Sequence, residues 1–134
     1  MKYALDTDTC SYILRGTPSV REKLATVATH ELSVSVVTLA EAWTGCRKSS
    51  HPDRWLKAWR HLVAPFEVLD FDSQCADLYS KVRARLERKG TMIGGNDCMI
   101  AATALANDVT LVTHNTAEFR RVPGLRVVDW VSEA

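Results

Sequence analysis

The stretch Lys2-Tyr3-Ala4-Leu5-Asp6-Thr7-Asp8 opens the chain with a short apolar run that stops at two carboxylates. Such a run reads as a buried strand closed by residues that favour turns and helix starts. The same form recurs further on. Leu32 to Val37, with three valines, reads as a second strand and leads to Glu41 four residues later. Thr110 to Thr113 leads to Glu118, and Phe66 to Leu69 and Leu125 to Val128 complete a set of five strands. Between them lie helical patterns at Val20 to Val27, Thr38 to Arg47, Pro52 to Val63, Asp72 to Lys89 and Asp97 to Ala106. The clearest is Asp72 to Lys89, where Cys75, Leu78, Tyr79, Val82 and Leu86 recur at helical spacing and Gly90 ends the pattern. Strands alternating with helices in so short a chain predict an α/β fold, a three-layer α/β/α sandwich around a central, mostly parallel five-stranded sheet with right-handed crossovers. In such folds chemistry gathers beyond the carboxyl ends of the strands.

The chain has no repeats, low-complexity tracts or linker-like stretches, so residues 1–134 are expected to form a single domain. An apolar fraction of 46% is ample for a packed core. No segment approaches the ~18 consecutive apolar residues of a membrane span, and no leader pattern precedes the first strand; a soluble, cytoplasmic protein is expected. Cys10, Cys46, Cys75 and Cys98 are scattered without C-x-x-C or zinc-finger spacing, so reduced thiols are expected. Seventeen Lys and Arg against 16 Asp and Glu leave no global attraction for a polyanion. Local basic clusters remain: Lys81, Arg83, Arg85, Arg88 and Lys89 fall within nine residues, and Arg120, Arg121 and Arg126 follow near the end. A solvated helix face accounts for such a run as readily as a binding surface does.

Four acids stand at four junctions. Asp6 follows the first strand, Glu41 falls in the first turn after the second, Asp97 opens a helix after Gly94-Gly95-Asn96, and Glu118 follows the strand Leu111-Val112-Thr113 by a few residues. Each also has a structural reading. Thr38-Leu39-Ala40-Glu41 and Asn115-Thr116-Ala117-Glu118 fit capping boxes, and Asp8 and Asp97 are ordinary helix-start residues. Gathered at one sheet edge, however, four carboxylates repel one another and call for a cation. Oxygen donors alone suit Mg²⁺ or Mn²⁺ rather than zinc, and the chemistry such a site serves is phosphodiester hydrolysis.

Leu5-Asp6-Thr7-Asp8, Val37-Thr38-Leu39-Ala40-Glu41, Asp97-Cys98-Met99-Ile100-Ala101-Ala102 and Val112-Thr113-His114-Asn115-Thr116-Ala117-Glu118-Phe119 together resemble the motifs of the PIN-domain ribonucleases, and more narrowly the VapC toxins of bacterial toxin–antitoxin pairs. The resemblance extends from residue 2 to residue 130 and includes Val122-Pro123-Gly124-Leu125-Arg126 and Asp129-Trp130. It implies a Mg²⁺- or Mn²⁺-dependent endoribonuclease acting on structured transfer or ribosomal RNA, leaving a 5′-phosphate. It further implies a homodimer, and inhibition by a cognate VapB-type antitoxin. By the same resemblance Asp6 and Asp97 are the principal metal ligands, Glu41 completes the acidic pocket, Glu118 takes the last carboxylate position, and Asn115 orients that loop or a metal-bound water. Asp8 stands where many relatives carry Asn, and Glu118 where Asp is more frequent.

Trp55 and Trp59, one helical turn apart with Leu62 and Val63 continuing the stripe, are expected to form core, an antitoxin groove or a dimer face. His114 reads as a loop residue and Cys98 as a small buried one. Two other functions compete. Asp6-Thr7-Asp8-Thr9-Cys10 resembles the D-x-D-x-T loop of haloacid-dehalogenase-type phosphatases, in which Asp6 would attack phosphorus and Asp8 act as acid and base. Cys10 in place of Thr departs from that pattern, and Glu41 and Glu118 would have no role. The third possibility is a PIN-like module that has lost catalysis and only binds a partner.

Overall fold

The computed structural model describes residues 1–132. Its sheet is built from β1 (Tyr3–Leu5), β2 (Leu32–Ser35), β3 (Glu67–Leu69), β4 (Thr110–Val112) and β5 (Val127–Val128), in the order β3-β2-β1-β4-β5. Every neighbouring pair is parallel. The helices are α1 (Thr7–Leu14), α2 (Pro18–Ala25), α3 (Val36–Lys48), α4 (Pro52–Val63), α5 (Ser73–Lys89), α6 (Gly95–Ala106) and α7 (Thr116–Phe119).

Alternation along the strands divides the core in two. Leu5, Leu32, Val34 and Val112 face α1 to α4, where Cys10, Ile13, Val20, Leu39, Leu56, Trp59 and Val63 are buried. Ala4, Leu69 and Leu111 face the opposite way, against Val82 and Leu86 of α5, Cys98, Ile100, Ala101 and Ala104 of α6, and Phe119 of α7. Fully burying one aliphatic or aromatic side chain of this kind is worth about 1.5–3 kcal/mol, so two filled faces hold the sheet in place as the middle layer of an α/β/α sandwich. All four cysteines are buried free thiols. No helix among the described residues is long and apolar enough to cross a membrane.

Three differences from the sequence reading bear on the site, each for a local reason. The first helix, α1, lay outside the helical patterns recognised in the sequence because it has only eight residues, several of them β-branched. Asp6 nucleates it by accepting the Thr9 N–H at 2.8 Å. Helix α3 begins at Val36, not Thr38: Ser35 is the cap, its Oγ accepting the Thr38 N–H at 3.0 Å, and this draws two valines out of the expected strand and into the helix. Helix α6 begins at Gly95 after Gly94, so Asp97 lies within its first turn instead of opening it. Gly90 closes α5 in the left-handed conformation at φ 67°, as its position after the pattern suggested.

Strand order reverses beside β1, since β2 and β3 extend the sheet to one side and β4 and β5 to the other. The crevice beyond the carboxyl ends of β1 and β4 is therefore the switch point at which such sheets carry their sites.

Candidate active site

Asp6 leaves β1 directly into this crevice and is only 5% exposed. Burial raises its carboxyl above the ordinary value; the Thr113 hydroxyl and the Thr9 amide and hydroxyl act in the opposite sense, and the nearby Asp8 charge adds to the rise. Thr9 is itself pinned by donating its hydroxyl to Val112 O at 3.0 Å, which ties the α1 cap to the end of β4.

Glu41 takes no part in a capping box, because Ser35 fills that role. Its Oε1 accepts the Thr7 hydroxyl at 2.8 Å and its Oε2 accepts the Asn96 side-chain amide at 3.2 Å. These two bonds draw Glu41 across from α3 toward the start of α1 and the first turn of α6. Glu118 is also drawn out of its own helix: its Oε1 accepts the Gly94 N–H at 3.0 Å, and its Oε2 accepts from the Asn115 amide. A Cβ at Gly94 would stand 3.6 Å from Asp97 Oδ2 and 3.9 Å from Glu118 Oε1, ordinary contact distances that show how closely both carboxylates lie against this backbone.

Asp97 is pushed up to about 7, first by burial and then by the Glu118 carboxylate bonded to it, with Glu41 and Asp6 adding further negative charge. Burial alone would raise Glu118 too, but the bonds from Gly94, Asn115 and the Asp97 carboxyl, with the charge of Arg121, hold it below the usual carboxylate range. The two acids thus share a proton that rests on Asp97. The structure accordingly brings together the four carboxylates and Asn115. Among the described residues, though, no three Asp, Glu, His or Cys side chains converge at metal-ligand spacing.

The residues that sequence reasoning passed over are the ones that aim the acids: Thr7, Thr9, Gly94, Asn96 and Thr113. Their signal was position, since each is a polar or small residue at a strand or helix end and all but Thr113 lie within three places of an acid. His114, which the sequence reading placed in a loop, stands just beyond β4 with its Nδ1 3.0 Å from Asp129 Oδ2. The basic clusters are partly committed elsewhere. Lys81 pairs with Asp77 at 3.1 Å, Arg83 with Glu87 at 2.8 Å and Arg126 with Asp108 at 3.0 Å.

Glu41 and Gly45 each line two open grooves. One, of about 440 Å³, runs from Thr7 and Glu41 past Leu14, Arg15 and Ala42 to Trp55 and Trp59. The other, of about 380 Å³, is lined by Ala40, Glu41, Thr44, Gly45, Lys48 and Asn96. Trp59 is buried in the core and Trp55 is half-buried against it, in line with the core role, and both also line the groove.

A parallel α/β sandwich with acids from the end of β1 and from α3, α6 and α7 defines a class, and the chain matches the PIN domain model over residues 3–125; it belongs to the PIN-domain family. Within that family its relatives are VapC nucleases. It is 39% identical over 131 residues to the tRNA(fMet)-specific endonuclease VapC of Salmonella typhimurium, covering 97% of this chain and 98% of the relative. In three dimensions it is similar to the VapC chain of the Rickettsia felis VapBC2 complex bound to a promoter DNA fragment, with a TM-score of 0.91 and 34% identity over 97% of this chain and 99% of that one. The Salmonella typhimurium VapBC complex, also bound to DNA, gives a TM-score of 0.91 and 38% identity over 97% of this chain and 98% of its counterpart. The family match sets aside the phosphatase reading of Asp6-Thr7-Asp8.

Proposed function

We propose that this chain is a metal-dependent endoribonuclease toxin that hydrolyses structured RNA and is neutralised by a cognate VapB-type antitoxin. The observation that carries the reading is the placing of Asp6, Glu41, Asp97 and Glu118 around the sheet's switch point, with Glu41 and Glu118 turned by hydrogen bonds toward the first turn of α6 that holds Asp97. An all-oxygen cluster with this excess of negative charge fits Mg²⁺ or Mn²⁺. Asp6 and Asp97 would hold the ion, with Glu41 and Glu118 at its margin. Such an ion polarises a phosphoryl oxygen and lowers the pKa of an attacking water.

The chain's own residues set the conditions for that chemistry. Thr9 and Thr113 hold Asp6 in one orientation against repulsion from its neighbours. Thr7 and Asn96 keep Glu41 turned into the crevice. Gly94 and Asn115 hold Glu118 as the ionised partner, leaving Asp97 to give up its proton when a cation arrives. Asn115 therefore acts through Glu118. Arg121, whose charge reaches Glu118, is a candidate contact for RNA phosphates.

The substrate class follows the relatives. The Salmonella typhimurium protein is specific for tRNA(fMet), and transfer RNA is the first substrate to test, with ribosomal RNA the second. The VapBC structures support an antitoxin partner. The groove from Glu41 to Trp55 would receive an apolar antitoxin segment beside the acids. Action in the cytoplasm as a homodimer completes the proposal.

The purified, antitoxin-free protein should cleave a tRNA(fMet) transcript with Mg²⁺ or Mn²⁺, leaving 5′-phosphate ends, and EDTA, Asp6→Asn or Asp97→Asn should each stop it. Cleavage that persists in both variants would sink the proposal. An absence of any metal-dependent cleavage, with RNA or antitoxin still bound, would instead favour the inactive PIN-like module.

A further inference from the structure

The row of functional residues along the sheet edge continues past the four acids. Asp6 follows β1 and Glu41 follows β2; on the other side of the switch point His114 stands just beyond β4 and Asp129 directly after β5. The last two meet, with His114 Nδ1 3.0 Å from Asp129 Oδ2. Asp129 is buried at 8% exposure. Burial alone would raise its carboxyl, but hydrogen bonds from Ser132, His114 and the Val131 amide outweigh it and keep the group below the usual range. An ionised carboxylate can only accept, so Nδ1 donates to it, and Nε2, which lies outside that bond, is a second N–H donor when the ring is an imidazolium.

The ring is held on a second side. Tyr12 of α1 meets it edge-on at 5.7 Å between ring centroids, and the Arg15 guanidinium lies 4.8 Å over the opposite partner of that contact, the Tyr12 ring. Yet the His114 side chain remains 44% exposed. Nε2 has no hydrogen-bond partner among the described residues. Fastening β5 to β4 does not require an imidazole, because the backbone already does so through Thr113 N–H to Val128 O at 2.9 Å and Leu111 N–H to Arg126 O at 2.9 Å. An oriented, exposed imidazole is therefore surplus to the fold. Its chain neighbours belong to the site: Thr113 acts on Asp6, and Asn115 bonds Glu118.

We infer that His114, oriented by Asp129 and Tyr12, is a substrate-contacting residue whose Nε2–H, as an imidazolium, donates to a backbone phosphate of the RNA on the β4–β5 side of the acidic crevice. The inference rests on the ribonuclease reading. It answers an electrostatic need, since a polyanion entering among four carboxylates requires donors on its flank, and a ring nitrogen backed by a carboxylate is a well-oriented one. Phosphate contacts of this kind set the register of the strand and leave the reading of bases to other groups.

The test uses the full-length, antitoxin-free protein and a fluorescein-labelled tRNA(fMet) transcript. His114→Gln and His114→Ala should raise KM for cleavage about tenfold with kcat changed less than about twofold, the signature of lost uniform binding. In the cleavage-silent Asp6→Asn background, either substitution should weaken RNA binding and reduce the slope of log affinity against log salt by about 0.7, the value for one phosphate contact to a single strand. Asp129→Asn should shift KM in the same direction by a smaller factor. An unchanged KM and salt slope in both His114 variants overturns the inference, as does a lowered Tm with an unchanged salt slope, which would mark the pair as structural. If Asp6→Asn alone still cleaves RNA, the ribonuclease reading itself fails; if Asp6→Asn is inactive and the His114 variants behave as wild type, only the role of His114 fails.

Discussion

Asp6 and Asp97 both have carboxyls raised by burial, but they are held in opposite ways. Asp6 sits at a strand end, caps α1, and is steadied by two threonines that are themselves tied to β4. Asp97 lies in the first turn of α6 and is met mainly by other acids, with its proton shared toward Glu118. One wing of the site is built by the backbone. The other is set by the balance of charge, and so responds to pH and to a cation. The contrast shows how four acids persist at one edge: Asp6, Glu41 and Glu118 are held by neutral donors, while Asp97, met by the other three, is the one pushed toward its protonated form.

The largest expected effect comes from the fixed wing. Asp6→Asn keeps a good helix cap and should leave folding intact while lowering single-turnover cleavage by about 10³-fold or more, as expected when a metal ligand is neutralised. A variant that cleaves normally would break the comparison at its stronger half. The other wing depends on packing for its position, because Phe119, 1% exposed, anchors the four-residue helix that carries Glu118. Phe119→Ala should cost about 3–5 kcal/mol in urea unfolding.

A smaller effect sharpens the electrostatic half. In metal-free protein the Asp97 carboxyl is raised from its ordinary value of 3.8 to about 7, so its ionisation destabilises the fold. Stability should be lost as pH rises from about 4 through 7, because the folded state holds the proton that the unfolded chain has released. Asp97→Asn removes this loss and should stabilise the metal-free protein above pH 7 by on the order of 1–2 kcal/mol after solvent screening is allowed for, with the gain vanishing towards pH 4. Thermal unfolding of both proteins between pH 4 and 8 measures it; a gain that does not depend on pH would point to packing, not charge. Smaller again, Thr7→Val or Asn96→Ala should lower kcat by roughly three- to tenfold by freeing Glu41 from one bond. Smallest of all, Arg83→Ala should change cleavage by less than about twofold, since Arg83 is already engaged by Glu87 and Tyr79.

Much of the fold was legible because its signals are local. The alternation of short apolar runs with helical patterns, and the capping and stopping residues Asp72 and Gly90, specify a parallel α/β sandwich without reference to distant residues. What misled was also local: valines 36 and 37 read as strand because their intrinsic preference is for strand, while the Ser35 cap and the packing of α3 outweigh that preference. Helix α1 was hidden for a related reason, its few residues having no periodicity strong enough to stand apart from the strand before it.

For the site, the sequence by itself determined which acids stand at which strand and helix ends, because a chain's order prescribes its junctions. Only the tertiary structure decided what each acid does there. Whether Glu41 caps its own helix or turns toward Thr7 and Asn96, whether Glu118 bonds Gly94 from 24 residues away, and whether His114 meets Asp129 are all matters of long-range approach. Side-chain hydrogen bonds and shared protons depend on distances of a few ångströms between residues far apart in the chain, and those distances are settled by strand order and by the packing of helices on the two faces of the sheet.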